Sequence, residues 1–130
     1  MFSGSHPPAT GIYDQPKQQW ADKTALADAF IFISPEYHHG YSPALKNALD
    51  YFGKEWQGKL AAFISYGSTN GSRSISQIRQ VTSSLGRIDP HAVLEIRDIF
   101  KRNKEETCTT NEFEIDGLKF IMNKLIKYQL

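Results

Sequence analysis

Two short segments hold most of the residues whose types and spacing suit chemistry. The first runs from Ser34 to Pro43 and reads SPEYHHGYSP. Pro35 fixes the chain direction. Tyr37 and Tyr41 offer flat apolar faces with polar tips. The free amides before and within a following helical turn can bind anionic or carbonyl oxygens. The second runs from Tyr66 to Arg73 and reads YGSTNGSR. Its small residues let backbone amides approach a ligand, and its hydroxyls add hydrogen bonds. Together the segments suit a planar ligand with polar edges. A plainer reading stands beside it: a tight crossover whose aromatics simply pack, and an ordinary strand-to-helix turn. The second segment lacks the Lys-Ser/Thr of a nucleotide P-loop and the spacing of a dinucleotide fingerprint. His38 and His39 with Glu36, joined by His6 or His91, lack any standard metal-ligand spacing. Cys108 has no sequence-local base and receives no role.

The elements that must position these segments follow from hydrophobic pattern. Residues 1–16, with Pro7, Pro8 and Pro16, read as an irregular leader. Residues 17–28 read as a helix with Trp20, Thr24 and Ala27 on one face. Ala29 to Ile33 is a continuous apolar run, the pattern of a strand buried on both faces. Ser42 as N-cap and Pro43 at the first position open a helix. Its apolar stripe is Leu45, Ala48, Leu49 and Phe52, and Gly53 can close it. Leu60 to Ile64 is a second strand. Ile75, Ile78, Val81 and Leu85 mark a helix that stops at Gly86. Ala92 to Ile96 is a third strand, and Arg97 to Asn111 reads as loop. The last helix carries Leu118, Ile121, Met122, Leu125 and Ile126 on one face. Its acids lie at the start and Lys124 and Lys127 near the end, as the helix dipole favours. Strands alternating with helices predict an α/β fold, a parallel sheet with helices on both faces. Ligands of such sheets bind beyond the carboxyl ends of the strands, where both segments lie.

Composition narrows the function classes. The chain has 130 residues, 40% hydrophobic and 22% charged, which predicts one globular domain, residues 1–130. Fifteen basic against 14 acidic residues give a net charge of +1. That balance argues against a nucleic-acid partner. No apolar run is long enough for a membrane span, which predicts no membrane partner. Met1 to Gly11 has no secretory pattern. One cysteine fits a reducing compartment and a cytoplasmic location. Lys101, Arg102 and Lys104 followed by Glu105 and Glu106 read as a solvated loop.

The run ADAFIFISPEYH from Ala27 to His38, followed by SPALKNALD from Ser42 to Asp50, resembles the signature of the NADPH-dependent FMN reductases. Those flavodoxin-like enzymes include quinone, azo-dye and chromate reductases. Lys59 to Gly67, Gln77 to Arg79 and Leu85-Gly86 continue the likeness, which covers the chain from about Trp20 and is weakest after Ile96. The resemblance implies FMN and NAD(P)H as cofactors, with hydride passing from nicotinamide to flavin and then to a small-molecule acceptor. It implies that Pro35, Glu36, Tyr37 and His38 border the flavin on one side. Tyr66, Gly67 and Ser68 would close on the other. No acid, base or nucleophile is implied, because the cofactor carries the chemistry. His38 stands where the family usually has Asn.

The family also begins with a strand, a phosphate-binding loop, a helix and a second strand, and nothing before Trp20 resembles them. The expectation is therefore a flavodoxin-like sheet of three core strands, N-terminally truncated, that retains FMN weakly. A catalytically silent module that keeps the fold is the competing reading. The uncovered edge of the Phe30–Ile33 strand, or the face of Leu45, Leu49 and Phe52, predicts a homodimer or homotetramer.

Overall fold

The computed structural model describes residues 15–104 and 109–129. Helix α1 spans Gln15–Leu26, followed by β1 (Ala29–Pro35), α2 (Pro43–Tyr51) and a 3₁₀ turn at Lys54–Trp56. Then come β2 (Leu60–Tyr66), α3 (Ser72–Ser84), β3 (Val93–Ile96), α4 (Ile99–Lys104) and α5 (Glu112–Gln129). The strands form one parallel sheet in the order β1-β2-β3. The expected three-stranded α/β architecture is therefore present. Leader residues 1–14, with His6, and the segment 105–108, with Glu105, Glu106 and Cys108, lie outside the described residues.

The two faces of the sheet are covered differently. On one face Phe32, Ala61 and Phe63 pack with Ala21 of α1, Leu49 of α2, Phe52, Trp56, and Ile75 and Ile78 of α3. This core is aromatic, with Trp56 edge-on to Phe30, Phe32 and Phe52 at 5.0–6.0 Å between ring centroids. On the other face Leu60, Ala62, Ile64 and Leu94 pack against Ile121 and Leu125 of α5.

Several boundaries and faces differ from the sequence expectation. α1 is described from Gln15, two residues ahead of the expected start. It buries Ala21 and Thr24, while Trp20 is 50% exposed and Ala27 falls beyond the helix. Lys59 ends α1 by donating from Nζ to the carbonyls of Thr24 (2.7 Å) and Ala25 (2.8 Å). β1 is buried on one face only: Ile31 and Ile33 are 36% and 63% exposed. Their side chains share the α5 face, and α5 packs over β2 and β3. α2 ends at Tyr51 with Phe52 extended, so Gly53 does not close it. Leu49 and Phe52 are fully buried in the core, with Leu45 partly buried beside them.

α4 lies within the expected loop 97–111. Six residues of weak helical pattern are held through Arg102. Arg102 pairs with the Glu114 carboxylate and donates to the Thr109 carbonyl, and its amide bonds the Asp98 carbonyl at 3.0 Å. On α5 only Ile121 and Leu125 of the expected stripe are buried. Leu118, Met122 and Ile126 are exposed. Among the described residues no helix is long and apolar enough to cross a membrane.

Candidate functional site

The site grows from the carboxyl ends of β1 and β2. Ser34, at the end of β1, accepts from the Ser42 amide at 2.9 Å, which folds the first loop back onto the strand that launched it. The Ser42 hydroxyl then accepts from the Leu45 amide at 3.2 Å and caps α2. Ser65, at the end of β2, donates to the Ser34 carbonyl at 2.7 Å. The parallel ladder continues one residue further, with the Glu36 amide donating to the Tyr66 carbonyl at 2.7 Å. The two loops therefore leave the sheet side by side.

Glu36 then ties them together. Its side chain is 3% exposed, and both carboxylate oxygens accept from the Thr69 hydroxyl, at 2.8 and 3.0 Å. The Arg73 amide donates to it at 3.2 Å, and the Arg73 guanidinium lies 3.7 Å away. The approach is close enough that a Cβ on Gly67 would sit 2.8 Å from Glu36 Cβ. Gly71 opens α3 with φ +85°, and a Cβ there would overlap Ser65 and the Tyr66 backbone. Only glycine meets both demands.

The tip of the first loop is a two-residue reverse turn. Tyr37 and Gly40 exchange amide-to-carbonyl hydrogen bonds, each 2.8 Å. His38 and His39 between them have φ of +46° and +69°. Such a turn demands two left-handed residues, a conformation Asn adopts far more readily than most. This is a backbone reason for Asn at the position His38 occupies. The turn lifts the Tyr37 ring into solvent, 57% exposed. Tyr41 instead packs against the aromatic core, and burial raises its phenol pKa against the opposing pull of Lys46.

The sequence-derived residues are thus partly assembled. Glu36, Tyr66 and Gly67 meet directly, and Pro35 accepts from the Ser74 hydroxyl at 3.5 Å. Tyr37 and His38 stand exposed on the turn. Gly67 and Ser68 line a cavity of about 240 Å³ whose far wall is Asp98, Ile99, Phe100 and Lys101. That wall escaped the sequence reading. It follows β3, so the rule that placed the first two loops at the carboxyl edge also places this one there. Ser68 is exposed, and the Ser68 and Thr69 amides donate to no backbone group among the described residues. Such amides suit a ligand's carbonyl or anionic oxygens. Among the described residues no three of His, Cys, Asp and Glu converge as metal ligands.

Comparison with known proteins bears on the family and the fold. A family model described as NADPH-dependent FMN reductase matches residues 3–99. An NAD(P)H-dependent FMN reductase of Schizosaccharomyces pombe is 44% identical over 66 residues, 51% of this chain and 33% of the relative. The NAD(P)H-dependent FMN reductase LOT6 of Saccharomyces cerevisiae is 38% identical over 72 residues, 55% of this chain and 38% of the relative. This chain therefore spans between a third and two fifths of the length of these relatives. Among solved structures, the flavoenzyme NAD(P)H:(acceptor) oxidoreductase FerB of Paracoccus denitrificans superposes with a TM-score of 0.71 at 18% identity. That match covers 97% of this chain and 76% of FerB. The fold is flavodoxin-like.

Proposed function

The chain belongs to the NADPH-dependent FMN reductase family, and from that premise we propose that it binds FMN across the carboxyl edge of its sheet. We further propose that it serves hydride transfer from NAD(P)H to a quinone-like or flavin acceptor. When bound, FMN supplies the two-electron chemistry, and the residues of this chain hold and orient it. The observation that carries the reading is the pair of loops joined through Glu36, which keeps a Tyr ring and unpaired amides at one edge.

The proposed roles differ from residue to residue. Tyr37 offers its exposed ring as a stacking face. The backbone of Pro35, Glu36 and His38 borders the ring on one side, and Tyr66, Gly67 and Ser68 border it on the other. The Glu36 carboxylate is turned inward, so it is a positioning residue. The wall of Asp98 to Lys101 encloses the cavity beside Ser68 and limits what stands next to the flavin. The silent-module reading is less favoured, because a fold kept only as a scaffold has no need of a nearly buried carboxylate bracing these loops.

We also propose a cytoplasmic protein that assembles as a homodimer or homotetramer. Support for assembly comes from β1, whose outer edge has no partner strand among the described residues, bears no charge and exposes Ile31 and Ile33. A monomer by light scattering at high concentration would refute the assembly. For the activity, NAD(P)H oxidation is followed with a quinone acceptor while FMN is added. The reading expects oxidation that rises and saturates with FMN; a rate no greater than that of free FMN contradicts it.

A further inference from the structure

The opposite, amino edge of the sheet carries a feature that flavin binding does not use. Arg87, just after the left-handed Gly86 that ends the α3 turn, is only 8% exposed. Its guanidinium carbon lies 4.3 Å from the Phe30 ring centroid and 4.6 Å from those of Phe32 and Trp56. The three rings surround the cation. They leave its N–H edge unanswered: Nε, Nη1 and Nη2 have no hydrogen-bond partner among the described residues. Burial lowers the guanidinium pKa to about 10, so the group is still charged at neutral pH. A buried cation with five unused donors is costly unless something supplies acceptors.

A cavity of about 400 Å³ adjoins it, lined by Arg79, Gln80, Thr82, Ser83, Arg87 and Asp89, with Ala61 behind. Its charges do not balance. Asp89, the cavity's one carboxylate, is 2.7 Å from Arg79. Burial first and the Arg87 charge second lower the pKa of nearby Lys59, against the opposing pull of Asp28 and Glu55. Two guanidinium groups thus border a polar cavity, and the more buried of them lacks an anion.

We propose that this cavity is a second ligand site, taking a small molecule that bears an oxyanion, phosphate or carboxylate, held by Arg87. A guanidinium fork matches either oxyanion with two parallel N–H···O bonds. The three nitrogens are shielded from solvent, so the ligand engages them as the guanidinium turns toward the cavity. Thr82 and Ser83 line the same space, the Thr82 hydroxyl already donating to the Ile78 carbonyl at 2.9 Å. The site lies a strand's length, about 20 Å, from the carboxyl-edge loops.

Trp56 makes the proposal measurable. In a Trp20→Phe background the emission of Trp56 is titrated with inorganic phosphate, pyrophosphate and citrate, against chloride at equal ionic strength. The expected result is a saturable emission change and a raised Tm with at least one of the three. A response to the phosphates alone identifies a phosphoryl ligand; a response to citrate alone identifies a carboxylate. Arg87→Met should abolish the response while leaving the free chain at least as stable. Arg87→Lys, which keeps the charge but loses the fork, should weaken binding at least tenfold. The proposal is overturned by no saturable response to any of the three, or by an unchanged response in Arg87→Lys. A free chain destabilised by Arg87→Met also overturns it, because Arg87 would then be a structural pillar.

Discussion

Glu36 and Arg87 are two nearly buried charges at opposite edges of one sheet, and they are treated in opposite ways. Glu36 receives the Thr69 hydroxyl, the Arg73 amide and the Arg73 cation. Arg87 receives only ring faces. A buried charge with its partners in place is a brace, and it fixes the geometry of whatever surrounds it. A buried charge with unused donors is a standing cost, tolerated where a ligand answers it. The carboxyl edge is therefore preorganised before any ligand arrives, and the amino edge awaits one. Glu114 follows the Glu36 pattern: it is buried, paired with Arg102, and accepts from the Asn111 amide at 3.3 Å.

The largest expected effect comes from breaking the brace through its backbone. Gly71→Ala forces a Cβ into Ser65 and the Tyr66 backbone at a left-handed φ. A loss of about 2–4 kcal/mol is expected in urea unfolding; a loss under 0.5 kcal/mol would show that the second loop is free to move.

Next in size is Glu36→Ala, expected to cost about 1–3 kcal/mol through lost charge-assisted bonds. A double-mutant cycle with Thr69→Val should recover a coupling of about 1 kcal/mol. Additive effects would mean that the two loops are independent. Arg87→Met, at the other edge, should not lower stability, and this opposite sign is what the comparison requires.

Glu114 extends the contrast to pH. The Arg102 hydrogen bond holds its carboxyl below the ordinary glutamate range, with help from Asn111 and against desolvation. A depressed folded pKa adds stability above the unfolded value, about 4.3, and that stability is lost as pH falls through the folded value. The unfolding midpoint should therefore fall more steeply below about pH 5 in the parent chain than in Glu114→Gln. Parallel acid profiles would remove Glu114 from the set of paired charges.

The smallest effect is a gain. His38→Asn with His39→Gly supplies the residues the Tyr37–Gly40 turn prefers, worth about 0.5–1 kcal/mol. A loss instead would mean that the imidazoles make contacts worth more than the backbone strain.

Much of the carboxyl edge was legible in the sequence, because strand ends, the Ser42 cap and small-residue loops are local signals. The parallel order follows from alternation of elements alone. What escaped is what distant segments decide. The run Ala29–Ile33 is apolar throughout, and nothing local says that α5 leaves Ile31 and Ile33 uncovered. α4 is too short to show a period, and its anchors Glu114 and Thr109 lie beyond it in sequence. The reverse turn at His38-His39 lacks the Asn-Gly that announces such turns. Glu36 reads equally well as a ligand contact until Thr69 and Arg73 are seen to claim it. The Arg87 cage gathers Phe30, Phe32 and Trp56 from two separate stretches of chain, and no spacing foretells it.

The central claim is that the preorganised carboxyl edge, and not the amino edge, holds FMN. Quenching of FMN fluorescence, titrated on the parent chain, on Tyr37→Ala and on Arg87→Met, tests it directly. Saturable binding is predicted for the parent chain. Tyr37→Ala should weaken it about fivefold or more, for a lost stacking contact of about 1 kcal/mol, and Arg87→Met should leave it unchanged. Equal affinity in the parent chain and Tyr37→Ala, or a loss confined to Arg87→Met, would contradict the account.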